Sequence, residues 1–194
     1  RKKFKLPAED QGRRLTLYFE GVATHATVYL NGCLLKHNFC GYTSFEVDIT
    51  DLAKFGEEGE NVLAVYIDAS GFEGWWYEGA GIYRHVKLYV KDKLHIAHNG
   101  IFGKPVLKKG TKNSWNVEVE TVLENSNYKP DEASVRATIL DGDTVIAQGV
   151  SALVSCDYAS KTTVNQKLSV SRPTRWDIDN PKLYTLEVEV LKNG

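Results

Sequence analysis

Aromatic side chains and a carboxylate stand together in residues 74–80, which read GWWYEGA. Trp75, Trp76 and Tyr77 interrupt a strand-like pattern, so their large flat faces can lie outside a sheet, where such faces stack on sugar rings. We therefore predict a carbohydrate-binding site formed by these three residues and Glu78. In the alternative interpretation, Trp76 and Tyr77 fill a domain core or a domain contact, because adjacent fully exposed tryptophans are unusual in stable proteins.

The residues that follow this aromatic group are predicted to be structural. Gly79 and Gly81 allow a bend, and Arg84 stands at the start of a strand. A guanidinium can clamp a carboxylate, and we expect its partner to be an acidic side chain of the protein at a domain junction. The glycine pair does not predict phosphate binding, because a third glycine is missing and a strand follows instead of a helix.

Composition excludes several kinds of partner and site. The 194 residues carry a net charge of −1, so no field attracts nucleic acid or an anionic membrane. No apolar run approaches the roughly 20 residues that span a bilayer. His95 and His98 could pair on a metal, but no third ligand has coordinating spacing, so no metal site is predicted. An odd number of cysteines, three, favours free thiols, although Cys33 and Cys40 could bridge a turn.

Period-two alternation of apolar and polar residues dominates the chain and predicts an all-β fold. The apolar residues at 15, 17 and 19 set the pattern, and further alternating runs lie at 45–49, 63–67, 86–90, 114–120, 135–139, 144–148, 161–170 and 186–190. Asn31-Gly32 and Asp141-Gly142 predict tight hairpin turns. One short helical turn is predicted over 50–55, with Thr50 or Asp51 as its N-cap and Gly56 as its end.

A change of composition after Val90 predicts two domains, residues 1–92 and 93–194. Residues 91–110 are rich in Lys, His, Gly and Pro and lack clean alternation, which is typical of a linker. Two strand sets with turn residues between them predict two consecutive β-sandwiches. Trp115 and Trp176 are predicted to anchor the core of the second sandwich.

Three separated signatures resemble glycoside hydrolase family 2, and together they cover nearly the whole chain. They are FEGV at 19–22 continuing to ATVYLNG at 26–32 and GYTSF at 41–45, then the segment 75–84, and finally NPKLYTL at 180–186. The resemblance implies a sugar-binding jelly-roll domain, truncated at its N-terminus, followed by an immunoglobulin-like sandwich.

The same resemblance implies that the chemistry lies outside this chain. Retaining glycosidases use two carboxyl groups about 5–5.5 Å apart, and in this family both are glutamates of a (β/α)₈ barrel that follows the two sandwiches. The chain would thus be the non-catalytic N-terminal part of an exo-glycosidase, resembling the β-galactosidases, with β-glucuronidase and β-mannosidase as alternatives. Its partners would be that barrel and the carbohydrate substrate. It would hold no cofactor itself, although some relatives bind Mg²⁺ or Na⁺ near the active site.

Asn38 also acquires a role from the resemblance. It stands where β-galactosidases of the family carry an asparagine that reaches the active site, and an amide can both donate to and accept from a sugar hydroxyl. Alternatively, Asn38 stabilises a turn through its own backbone. Some relatives carry an acidic residue at the place of Trp75. Here the nearest carboxylates are Glu73 and Glu78.

Two other classes of protein remain open from the sequence. Stacked aromatics would suit a free-standing carbohydrate-binding protein, and repeated sandwiches would suit a structural array. Residues 1–7 resemble a strand entered midway, and the chain has no methionine, so we expect a segment of a longer protein whose compartment its sequence does not indicate. A jelly-roll lacking upstream strands would leave an open sheet edge, which predicts association between copies.

Overall fold

The computed structural model describes residues 1–57, 59–71, 74 and 79–192. The chain divides into two compact units, Arg1–Asp92 and Lys93–Gly194. Antiparallel pairing joins the strands of both, which confirms the prediction of an all-β chain with two consecutive sandwiches. No helix in the described ranges is long and apolar enough to cross a membrane.

The first unit consists of two main sheets and a two-stranded ribbon. Its strands are β1 (Lys2–Lys5), β2 (Arg14–Phe19), β3 (Val22–Ala23), β4 (Ala26–Leu30), β5 (Cys33–Asn38), β6 (Phe45–Asp48), β7 (Glu60–Ile67), β8 (Gly81–Ile82) and β9 (Val86–Lys91). One sheet has the order β1-β7-β4-β5, the other has the order β6-β2-β9, and β3 pairs with β8. A 3-10 helix over Ala8–Asp10 joins the first two strands.

The core of this unit follows from the alternation in its sequence. Leu15, Leu17 and Phe19 point inward from β2 and are at most 5% exposed, while the residues between them are half-buried. The Phe19 ring stacks on Phe45 of the adjacent strand at a centroid distance of 4.8 Å. Burying one such side chain contributes roughly 1.5–3 kcal/mol, so a few inward positions suffice to fix which face of the sheet is covered.

The first hairpin turn agrees with the sequence prediction, whereas the structure of residues 50–55 does not. Asn31 and Gly32 have φ of 52° and 88° and connect β4 to β5, as a tight hairpin turn requires. Residues 50–52 form a turn and not a helix. The capping group is also different from the prediction, because Asp48 Oδ1 accepts from both the backbone N and Oγ1 of Thr50. A single helical turn contains too few hydrogen bonds to extend into a stable helix unless an amphipathic face packs against the rest of the protein.

The second unit also contains two sheets. Its strands are β10 (Leu94–Leu107), β11 (Ser114–Asn125), β12 (Asp131–Asp141), β13 (Thr144–Val150), β14 (Val154–Cys156), β15 (Ser160–Ser171) and β16 (Thr185–Leu191). One sheet has the order β10-β11-β15, and in the other β12 pairs with β13, β14 and β16. Gly142, with φ of 57°, turns β12 into β13 as predicted.

Two predictions about this unit are wrong. Most of the proposed linker 91–110 is strand β10, whose pairing with β11 shifts register between Ile96 and Ile101, and this irregularity breaks the alternation in the sequence. Trp176 is 61% exposed in the segment before β16, so it does not anchor the core, whereas Trp115 is half-buried. The core contains smaller residues, among them Val119, Leu123 and Val135.

Candidate functional site

Residues far apart in sequence meet where the β3–β8 ribbon lies in the first unit. Tyr83 directly follows β8, and its hydroxyl donates to the carbonyl oxygen of Gly41 at 2.8 Å. Its ring also lies against Gly21, where a Cβ would come within 2.7 Å of the ring carbon Cζ. Gly21 comes from the first sequence signature and Tyr83 from the second, so the fold brings the two signatures into contact.

The segment that contains Gly41 is closely packed on its other side as well. A Cβ at Gly41 would lie 2.9 Å from Thr24 Cγ2 and 3.1 Å from the Cα of Ala23. Only a residue without a side chain therefore fits against Ala23 and Thr24 without displacing a neighbour. The hydrogen bond and this close contact together fix the backbone next to Phe39 and Tyr42.

Three rings from two segments gather beside this backbone. The ring centroids of His37 and Phe39 are 4.5 Å apart in an edge-to-face arrangement, and His25 lies 5.6 Å from Phe39 and 6.0 Å from His37. Thr27 Oγ1 and His37 Nδ1 form a hydrogen bond of 2.7 Å. Phe39 and Tyr42 are 69% and 74% exposed. The surface thus combines apolar faces with imidazole and hydroxyl groups, which can stack on a sugar and hydrogen-bond its hydroxyls.

Asn38 is the last residue of β5 and is half-buried. Its Nδ2 donates to the carbonyl oxygen of Cys40 at 2.7 Å, as the turn interpretation requires. The side-chain Oδ1 has no hydrogen-bond partner among the described residues. One amide can therefore hold the turn and still offer an acceptor, so the two interpretations of Asn38 are compatible.

Charged groups of both signs meet at Glu20, the residue before Gly21. Glu20 accepts from Lys87 Nζ at 2.5 Å and from His85 Nδ1 at 3.0 Å. These two hydrogen bonds, that of Lys87 first, lower the pKa of Glu20 to about 2. Glu20 is thus ionised throughout the neutral range and is unsuited to act as a general acid. The pKa of Asp68 is also lowered, by a hydrogen bond from the Ser70 hydroxyl and then by one from the Ser70 backbone.

The structure describes some of the predicted site residues and not others. Trp75, Trp76, Tyr77 and Glu78 lie outside the described residues, as does Glu73. Gly81 has φ of 130° and starts β8, and a Cβ added at Gly79 would meet no atom of the described residues within 4 Å. The guanidinium carbon of Arg84 lies 5.5 Å from the Tyr83 ring centroid, a cation–π contact, and no carboxylate of the described residues forms an ion pair with it.

Sequence reasoning did not identify His25, Phe39 or Tyr83 as parts of this surface. Phe39 stood beside Asn38 in an aromatic segment, and that proximity was the only available signal. Cys33, Cys40 and Cys156 are all free, which confirms the expectation of free thiols. Within the described ranges, no three His, Cys, Asp or Glu side chains are placed to hold a metal ion.

Comparison with known proteins places both units in one family. Residues 94–194 match the model of glycosyl hydrolases family 2, and residues 1–80 match the galactose-binding domain-like model of glycosyl hydrolase 2. The chain is 31% identical to a β-galactosidase of Bacteroides ovatus over its whole length and 29% identical to a β-glucuronidase of Formosa agariphila over 95% of it. It spans 22% and 20% of the length of those two relatives.

A solved structure agrees with these matches. A glycosyl hydrolase family 2 member from Bacteroides cellulosilyticus superimposes with a TM-score of 0.91 at 33% identity, over 99% of this chain and 26% of that one. The similarity therefore extends across both sandwiches and covers about a quarter of the relative. On the sequence signatures, the fold and these matches together, the chain belongs to glycosyl hydrolases family 2.

Proposed function

We propose that this chain is the non-catalytic N-terminal part of a retaining exo-glycosidase that hydrolyses terminal β-galactosides. The main support is the order of the two family matches, residues 1–80 and then 94–194, which follows the order of the two sandwiches. The relative from Bacteroides ovatus is named a β-galactosidase and aligns with the entire chain. The carboxyl pair that performs the hydrolysis would then belong to a barrel elsewhere in the protein, and Mg²⁺ or Na⁺ would be held mainly by residues of that part.

In this proposal the first unit borders the mouth of the active site. The surface around Asn38 and Phe39 would contact the terminal sugar, together with the aromatic segment Trp75–Glu78. An exposed aromatic ring, an amide oxygen and two imidazoles suit the alternating CH and OH faces of a pyranose. The second unit would act as a spacer that fixes the position of the first unit on the barrel.

β-Glucuronidase activity is the second candidate, because the relative from Formosa agariphila carries that name at nearly the same identity, 29% against 31%. A glucuronide differs from a galactoside by a carboxylate on the sugar, so its recognition needs a cation near that group. The described surface contains the imidazole rings of His25 and His37, which can donate hydrogen bonds to a carboxylate.

The test measures turnover of 4-nitrophenyl β-galactoside and 4-nitrophenyl β-glucuronide by the full-length protein and by the 194-residue chain. We expect the full-length protein to cleave the galactoside with retention of the anomeric configuration, followed by NMR, and the chain alone to cleave neither. Preference for the glucuronide would support the second candidate. Failure of the full-length protein to cleave any aryl β-glycoside, or turnover by the chain alone, would overturn the proposal.

A further inference from the structure

The second unit contains a cavity of about 550 Å³. That volume falls within the range of about 300–1,000 Å³ that is typical of small-molecule sites. Both sheets contribute to the walls, with Val117 and Val170 from one sheet and Ile139 and Leu186 from the other. The segment between β15 and β16 forms the mouth of the cavity. The cavity lies wholly within the second unit, and none of its residues belongs to the surface around Asn38.

Hydrogen bonds hold this mouth in place. The backbone N of Thr174 donates to the Tyr184 hydroxyl at 2.8 Å, and the backbone N of Arg172 donates to the carbonyl oxygen of Asn113 at 2.8 Å. Asn113 Oδ1 in turn accepts from Trp115 Nε1 at 3.1 Å, which fixes the indole in the wall. The mouth is therefore a built structure whose rings are oriented before any ligand binds, which reduces the entropy cost of binding.

The lining is mostly apolar and aromatic. Trp115, Trp176 and Tyr184 supply three flat rings, and Trp176 and Leu183 remain 61% and 76% exposed at the rim. Few polar side chains face the space, so hydroxyl groups of a bound sugar would find few partners and would lose their hydration. A planar apolar group suits such walls better than a pyranose does.

Two cationic side chains at the mouth differ in whether a carboxylate pairs with them. Lys182 lies 5.6 Å from the Tyr184 ring centroid and forms an ion pair with Asp141. The guanidinium carbon of Arg175 lies 5.8 Å from the Trp115 ring centroid, and no carboxylate of the described residues lies within ion-pair distance of it. Arg175 thus presents a guanidinium fork beside an apolar cavity, an arrangement that favours a carboxylate attached to an aromatic body.

We propose that this cavity binds an aromatic carboxylate, with the ring between the walls formed by Trp115 and Trp176 and the carboxylate on Arg175. The interaction is non-covalent and independent of glycoside hydrolysis. An effector, a product of another enzyme or the acidic aglycone of a conjugate would all share this chemistry.

The test titrates the 194-residue chain with cinnamate and with the neutral cinnamamide, using calorimetry and saturation-transfer NMR. We expect one saturable site for cinnamate with a dissociation constant on the order of 0.1–1 mM. Arg175→Gln should weaken cinnamate about tenfold and leave cinnamamide unchanged, because it removes only the charge-assisted contact. Trp176→Ala should weaken both ligands, and the exposure of this ring makes the substitution compatible with folding.

Lys109→Gln is the matched control, because Lys109 is an exposed cation of the same unit and lies outside the cavity lining. It should leave both affinities unchanged. Absence of saturable binding, equal affinity for the two ligands, or insensitivity to Arg175→Gln would overturn the proposal. Binding of methyl β-galactoside at this site, or loss of the site in the full-length protein because another segment covers it, would also overturn it.

Discussion

The amide nitrogen of Asn38 donates to the turn at Cys40, and its oxygen remains available to a ligand. A role in the turn and a role in sugar binding therefore predict different effects of substitution, on stability and on KM respectively. If Oδ1 accepts from a sugar hydroxyl, Asn38→Ala in the full-length enzyme should raise KM about tenfold, the loss of roughly one hydrogen bond. The measurement compares KM and kcat for 4-nitrophenyl β-galactoside with thermal unfolding of the same variant.

The control for this substitution is Asn165→Ala, which removes an exposed amide from a strand of the other unit. It should change neither KM nor stability. A purely structural role for Asn38 would instead lower the unfolding temperature and leave KM at its original value.

Glu20 gives the first unit a pH dependence whose sign follows from its two partners. Lys87 and His85 lower the pKa of the folded carboxyl to about 2, below its ordinary value of 4.5. The stabilisation is therefore complete above about pH 4.5 and disappears as the pH falls toward 2, where Glu20 becomes protonated in the folded state. Glu20→Gln should lower the unfolding temperature at pH 7 and flatten its decline between pH 4.5 and 2.

Glu9→Gln serves as the reference for this pH series, because Glu9 is exposed and forms no ion pair with a described residue. Its unfolding temperature should follow that of the unsubstituted chain at every pH. Parallel curves for Glu20→Gln and the unsubstituted chain would show that the ion pairs contribute nothing measurable.

Position 21 requires a glycine because a neighbouring ring leaves no room for a side chain, and not because of the backbone angles. A methyl group there would lie 2.7 Å from the Tyr83 ring, and the ring cannot retreat without losing its hydrogen bond to Gly41. Gly21→Ala should therefore reduce the free energy of unfolding by about 1–3 kcal/mol. A Cβ added at Gly71 would meet no atom of the described residues within 4 Å, so Gly71→Ala should change stability by no more than about 0.5 kcal/mol.

A double-mutant cycle with Tyr83→Phe identifies the cause of this loss. Removing the hydroxyl frees the ring to move, so Gly21→Ala should cost less in the Tyr83→Phe background than in the original chain. Equal costs in the two backgrounds would show that the ring and the hydroxyl act independently.

At the scale of elements, a buried asparagine holds irregular backbone in each unit. Asn61 of β7 donates to the carbonyl oxygen of Lys54 at 2.8 Å and accepts from the Lys54 backbone N at 2.9 Å. Asn125 of β11 donates to the carbonyl oxygens of Cys156 and Asp157 at 3.0 and 3.1 Å. Both residues are at most 1% exposed. Amides satisfy backbone groups that neither sheet can pair, because each carries donors and an acceptor.

Substitution of Asn61 tests how much this arrangement contributes. Asn61→Ala removes the partners of Lys54 and also the hydrogen bond from Asn31 Nδ2 at 3.1 Å. We expect a loss of about 2–4 kcal/mol in the free energy of unfolding, because several partly buried groups lose their partners together. Urea denaturation of Asn61→Ala and of the control Asn165→Ala measures it. A loss below about 1 kcal/mol would show that water replaces the amide.

The strands were predictable wherever one face is covered and the other is not. In β2 the buried residues alternate strictly, and they alternate over residues 119–125 of β11 and 133–137 of β12, because burial of one face enforces that period. Strand β10 was not predicted because its irregular pairing after Ile96 shifts the alternation of apolar and polar residues. Trp176 was wrongly predicted to lie in the core, because the size of a ring favours burial but does not indicate the place in the fold where it is buried.

The candidate site was less predictable than the strands. The hydrogen bond between Tyr83 and Gly41 joins residues 42 positions apart, and no local pattern encodes that contact. Asn38 was identified through a family resemblance, whereas His25 reached the surface only through the antiparallel pairing of β4 with β5 and β7.

At the scale of the whole molecule, the hydrophobic residues form separate cores. The buried cluster around Phe19, Val28 and Leu30 contains residues of the first unit alone. The clusters around Leu123 and Val135 and around Val119 and Ile139 belong to the second. No buried cluster of the described residues draws on both, so the apolar burial that drives folding occurs within each unit.

Separate expression of residues 1–92 and 93–194 tests this division. Units of this size bury enough apolar surface to fold alone, so each segment should give a dispersed amide NMR spectrum and a cooperative thermal transition. The two transitions should together reproduce the unfolding of the 194-residue chain, and Asn61→Ala should shift only that of residues 1–92. A segment that remains unfolded until its partner is added would show that the two cores depend on each other, because binding would then supply the missing stability.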